Sequence, residues 1–138
     1  MIMNRLLQGV LNSGTAKGMK PSGEMEAAAK TGTTTDNKDY TFVGLTPYYV
    51  TSMWWGYDKP YDMSKAGAKN AKAIQKVWKS YTETVQEGLE AKQFPVSEDV
   101  KTAAFCTDSG DLAGPNCPNR QTGYYTEDNM PGTCAMHP

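Results

Sequence analysis

Neither sign of charge predominates in this chain. Its 138 residues carry 14 Lys and Arg against 15 Asp and Glu, so no basic surface is on offer to nucleic acid or an anionic membrane, and no nucleic-acid partner is expected. Long apolar runs are also missing. Nothing approaches a membrane span, and Met1-Ile2-Met3-Asn4-Arg5 lacks the charged start and long apolar centre of a signal peptide, so an export signal or anchor is expected upstream. Histidine is nearly absent: the single His137 lies beside the C-terminus, which gives a Ser-His-Asp arrangement little support. Cysteine is scarce and confined to the last third, at Cys106, Cys117 and Cys134, and no internal repeat is visible.

The chain opens with Ile2, Met3, Leu6, Leu7, Val10 and Leu11 at three- and four-residue spacing, which predicts a helix with one buried face, ended by Asn12-Ser13-Gly14. Thr15 to Glu26 is a turn-rich connection containing Gly18, Pro21 and Gly23. Ala27-Ala28-Ala29 then leads into Lys30-Thr31-Gly32-Thr33-Thr34. A polar turn over 35–39 and two β-rich runs, Tyr40 to Thr46 and Tyr48 to Tyr57, complete three successive antiparallel strands. Beyond a Pro60 loop, a second helix is predicted from about Ala68 to Gln86. Ile74, Val77, Trp78, Tyr81 and Val85 form its buried stripe, Lys69, Lys72, Lys76 and Lys79 lie mostly off it, and Gly88 stops it. From Phe94 onward turn formers dominate and only Val100 to Cys106 reads as a strand, so this part is expected to be an irregular tail. The expected class is α+β: a three-stranded antiparallel sheet flanked by an N-terminal and a central helix, over residues 1–93, with a cysteine-containing tail over 94–138.

The first strand carries the chemistry. Lys30 supplies an ammonium, the threonines supply hydroxyls, and Gly32 lets a ligand approach the backbone, a combination suited to gripping an anion. Lys30-Thr31-Gly32-Thr33-Thr34, followed by Phe42-Val43-Gly44, Thr46-Pro47 and Trp54-Trp55-Gly56-Tyr57-Asp58, resembles the transpeptidase domain of class A penicillin-binding proteins, a likeness that runs through the chain and thins in the tail. The resemblance implies part of a serine β-lactamase/transpeptidase-like fold. It also implies roles: Lys30 in the electrostatic field of the active site, Thr31 and Thr33 hydrogen-bonding the carboxylate of a D-Ala-D-Ala stem peptide or a β-lactam, and the Thr33 amide as an oxyanion donor, with Gly32 and Thr34 completing the substrate strand. A positive charge and fixed donors beside a developing oxyanion stabilise the acylation transition state more than the ground state. Read without that context, Lys30 is a surface lysine and the threonines are ordinary β formers.

Two further boxes of the family are missing. No serine is followed three residues later by lysine, and no S-x-N triplet occurs. In the family both boxes precede K-T-G, so the chain corresponds to the C-terminal part of a peptidoglycan transpeptidase whose missing N-terminal half is its natural partner. That parent implies a location outside the cytoplasmic membrane, in the cell envelope, with a glycosyltransferase domain as a candidate upstream neighbour. Without its nucleophile the chain is not expected to catalyse alone, and no cofactor is implied. The rival reading is a non-catalytic module that binds cell-wall material or a protein.

The remaining candidates have plainer readings. Tyr48, Tyr49, Trp54, Trp55 and Tyr57 could form a stacking platform, but strand alternation favours core and helix-facing positions. Asp36 and Asp39 are turn residues. An odd cysteine count suggests one disulfide and a free thiol, with Cys106–Cys117 preferred and Cys117–Cys134 second. Cys106, Cys117, Cys134 and His137 as a zinc set is the third option, its gaps looser than those of a ribbon or finger.

Overall fold

The computed structural model describes residues 1–65 and 71–138, and divides the chain into two compact units: Met3–Phe94, and Pro95–Pro138 with Met1–Ile2. The larger unit is α+β. Helix α1 (Ile2–Asn12) precedes an antiparallel sheet of β1 (Ala28–Thr33), β2 (Asp39–Leu45) and β3 (Val50–Gly56), in that spatial order, and helix α2 (Lys72–Val85) follows. The start of the expected second helix, including Lys69, lies outside the described residues. No helix among the described residues is long and apolar enough to cross a membrane.

Local chemistry explains the punctuation. Gly14 closes α1 by donating its amide to the Gly9 carbonyl at 2.9 Å. Between β1 and β2, Asp36 and Asn37 take φ of 63° and 54°, the left-handed region that Asx side chains tolerate. Thr34 locks that turn, its hydroxyl accepting the Asp39 amide at 2.8 Å. Past α2, Gly88 has φ of 78°, as a helix stop requires.

Register sets the core. Lys30 pairs with Val43, Thr31 with Phe42, Gly32 with Thr41 and Thr33 with Tyr40, so the face bearing Phe42 and Tyr40 also carries Ala29 opposite Gly44. That face packs against α2 and α1 through Phe42, Trp78, Ile74 and Leu11. The stripe read for α2 needs correction. Ile74 and Trp78 are buried, but with Gln75 and Thr82, whereas Val77, Tyr81 and Val85 are exposed. Helix packing is decided by the partner surface: the Trp78 indole fills the space beside Gly44, where a Cβ would meet it, and Val77 is left exposed. Strand alternation is kept by the two tryptophans, and only one takes the expected core position: Trp55, opposite Tyr40, packs on the core, while Trp54, on the other face, is 56% exposed and donates its indole N–H to Asp39 Oδ1 at 3.1 Å.

The smaller unit is more regular than an irregular tail. Strand β4 (Lys101–Cys106) pairs antiparallel with β5 (Arg120–Tyr125), which sequence reading left unassigned. Arg120, Gln121 and Thr122 are exposed and Gly123 carries no side chain, so no alternating apolar pattern marks it. Leu112 adds bridges to Phe105 and Thr133.

Candidate functional site

Strand β1 is an edge of its sheet, paired only with β2 among the described residues. An edge strand directs every second amide and carbonyl away from its neighbour, which is what a substrate backbone or carboxylate requires. Lys30 is exposed and its Nζ donates to the Thr31 carbonyl at 2.7 Å, folding the ammonium back along the strand. The Thr31 hydroxyl lies 3.1 Å from that of Thr15, in the loop after α1. Thr33 is exposed at the end of the strand.

Gly32 has a packing reason beside any functional one. A Cβ there would collide with Thr41 Oγ1 on the paired strand. Thr34 differs from its neighbours: its hydroxyl contacts Asp39 through the amide at 2.8 Å, the carboxylate at 3.3 Å and the carbonyl at 3.4 Å. The structure thus gathers Lys30, Thr31, Gly32 and Thr33 along one edge and gives Thr34 to the turn.

Behind the strand, Arg5 and Glu26 form a 2.7 Å ion pair that ties α1 to the segment entering β1. Burial pushes the Glu26 carboxyl up, and the Phe94 amide with Arg5 and Gln8 outweighs this, holding it below the ordinary carboxylate value. The Phe94 amide donates to Glu26 at 2.7 Å. Sequence reading missed this pair because Arg5 and Glu26 are joined only by tertiary folding.

In the smaller unit the three cysteines are free thiols, so neither Cys106–Cys117 nor Cys117–Cys134 is a disulfide in the structure. Their sulfurs and a ring nitrogen of His137 all lie within 4.8 Å of one another. Burial and Cys134 push the Cys117 thiol up to about 11, and the Ser109 hydroxyl, against the cost of burial and together with His137, holds Cys134 down to about 6. The Cys134 thiol in turn raises His137.

The comparisons point to the same family. The family described as penicillin-binding protein 1A, C-terminal domain, matches residues 96–137, the segment in which the likeness was expected to thin. Penicillin-binding protein 1A of Neisseria cinerea is 41% identical over 99 residues, 72% of this chain but 12% of the relative. That of Clostridium perfringens is 37% identical over 110 residues, 79% of this chain and 13% of the relative. A crystal structure of penicillin-binding protein 1A from Haemophilus influenzae superposes with a TM-score of 0.72 at 20% identity, covering 94% of this chain and 20% of that one. The chain has the α+β fold of part of a penicillin-binding protein. Within that class it resembles the C-terminal part of penicillin-binding protein 1A, of whose relatives' length it spans about an eighth.

Proposed function

We propose that this chain supplies the substrate-carboxylate and oxyanion strand of a serine-type peptidoglycan D,D-transpeptidase. The observation that supports it most is the open edge of β1, along which Thr31 and Thr33 lie on one face and Lys30 on the other, with Gly32 packed close to Thr41. Lys30 contributes a positive field, Thr31 and Thr33 hydroxyls hold the carboxylate of the stem peptide or a β-lactam, and the Thr33 amide donates to the oxyanion. Charge developing on the carbonyl oxygen is stabilised by donors already in place, which lowers the barrier rather than merely tightening binding. The Thr31 hydroxyl would exchange its contact with Thr15 for the ligand.

The strand cannot acylate by itself. An acyl-enzyme needs a nucleophile and its base, and this sequence holds no serine three residues before a lysine. The serine and its partners belong to the preceding half of the domain, and the site of action is the cell envelope, outside the cytoplasmic membrane.

Labelling with a fluorescent penicillin tests the reading. The isolated chain should form no adduct that survives denaturation. In the complete parent protein, Lys30→Ala or Thr33→Val should slow acylation by about tenfold to a thousandfold, the range for losing one transition-state electrostatic contact. A parent whose acylation ignores both substitutions would favour the alternative, a non-catalytic module for cell-wall or protein binding.

A further inference from the structure

The smaller unit has no ordinary core. Its buried residues are Cys106, Gly114, Cys117, Gly123 and Cys134, without one buried aliphatic or aromatic side chain. The three cysteines, with Ala113 packed on them, are themselves its apolar centre. A small unit with so little apolar burial needs a covalent or metal cross-link to offset the entropy of ordering its chain. A disulfide would use two sulfurs and leave the third, together with an imidazole, gathered for no purpose.

The geometry points to a structural zinc site of three thiolates and one imidazole, formed by Cys106, Cys117, Cys134 and His137. Four ligand atoms within 4.8 Å of one another enclose a single ion. Zinc–sulfur bonds of about 2.3 Å and a zinc–nitrogen bond of about 2.0 Å, at tetrahedral angles, put sulfur and nitrogen about 3.5 Å apart. The observed separations from His137 Nδ1 are 3.4 Å to Cys106 Sγ and 3.6 Å to Cys134 Sγ.

The surroundings fit as well. On its other side, His137 Nε2 faces Asp108 Oδ2 at 3.7 Å, the carboxylate placement that orients a metal-bound imidazole so that Nδ1 carries the lone pair. Amides two and three residues after Cys106 hydrogen-bond its sulfur, those of Asp108 and Ser109, and amides two and three residues after Cys134 do the same, those of Met136 and His137. Such turns spread thiolate charge onto backbone dipoles. Three sulfurs packed this closely could all ionise only with a cation among them, because three bare thiolates would repel. All four positions are filled by side chains, so the site is closed and its role is to hold the β4–β5 hairpin, Leu112 and the C-terminal turn together.

The test uses the full chain and zinc alone. Protein purified without added chelator should carry one zinc per chain by elemental analysis. After chelation and titration with cobalt(II), it should give the intense visible bands and sulfur-to-cobalt charge transfer of a tetrahedral thiolate site. Cys117→Ser and His137→Ala should each abolish stoichiometric retention, and Asp108→Asn should weaken zinc about tenfold to a hundredfold while keeping the cobalt spectrum. Because the cysteine variant can misfold, the unmodified chain decides: three titratable thiols after unfolding and chelation support the site. A single titratable thiol in unreduced protein, or substoichiometric metal with no tetrahedral cobalt spectrum, would overturn it.

Discussion

The indole of Trp78 on α2 occupies the space that a side chain at Gly44 on β2 would need. The same ring meets Phe42, two residues earlier, with centroids 5.1 Å apart and planes at 57°. Phe42-Val43-Gly44 is thus a packing device: an aromatic and a gap on one face of β2 receive one tryptophan, and the sheet bearing Lys30 is held against its helix.

That relationship predicts a large cost for a small change. Gly44→Ala should destabilise the larger unit by about 1–3 kcal/mol, because the ring must move in a packed core. Trp78→Ala should cost about 3–5 kcal/mol by opening a cavity. Chemical denaturation of the two variants checks both figures; a Gly44→Ala midpoint equal to that of the unaltered protein would contradict the packing argument.

Glu26 makes part of the stability dependent on pH. Its carboxyl is held below its ordinary value of 4.5 in the folded chain, with the Phe94 amide and Arg5 outweighing the effect of burial. A depressed folded value contributes stability above the unfolded value and loses it as pH falls through the folded one. Acid titration of the melting temperature should therefore show a decline beginning near the ordinary value and continuing below it, and Glu26→Gln should flatten that decline.

Thr34 serves its turn, whereas Thr33 is the residue proposed for the substrate. Because its hydroxyl accepts the Asp39 amide at 2.8 Å, Thr34→Val should lower stability by about 0.5–1.5 kcal/mol. In the complete parent, penicillin acylation should change far less than with Thr33→Val. Equal loss of acylation from both substitutions, with stability unchanged by Thr34→Val, would return Thr34 to the binding strand.

The isolated chain should self-associate. Val77, Tyr81 and Val85 on α2, Tyr49 just before β3 and Val50 at its start are all at least 38% exposed, and Val50 reaches 70%. Apolar surface of this kind on an unpaired sheet edge favours association through the edge. Sedimentation should show a concentration-dependent increase in mass, and Val50→Lys with Tyr81→Lys should reduce it. A strictly monomeric chain with a sharp, high-temperature transition would count against its being part of a larger domain.

Much of the larger unit was legible in the residues. β-rich runs around polar turns gave three strands, and Gly14 and Gly88 marked helix ends, because these signals act within a few residues of chain. Lys30-Thr31-Gly32 was readable for the same reason: a short motif on one strand is a local object. Which stripe of α2 is buried was not, since Val77 and Trp78 are both apolar and the tertiary contact of Trp78 with Gly44 is not written in the helix itself.

The sequence by itself determined the element order of the larger unit, a strand with its ammonium and hydroxyls, and the absence from this chain of a Ser-x-x-Lys nucleophile, while the sheet order made that strand an edge. Tertiary structure alone decided that Arg5 finds Glu26, that Thr34 serves its turn, and that Cys106, Cys117, Cys134 and His137 share one centre. Sequence gaps of ten and sixteen residues between the cysteines carry no distance in space; only the β4–β5 pairing and the Leu112 bridges fold them to a point.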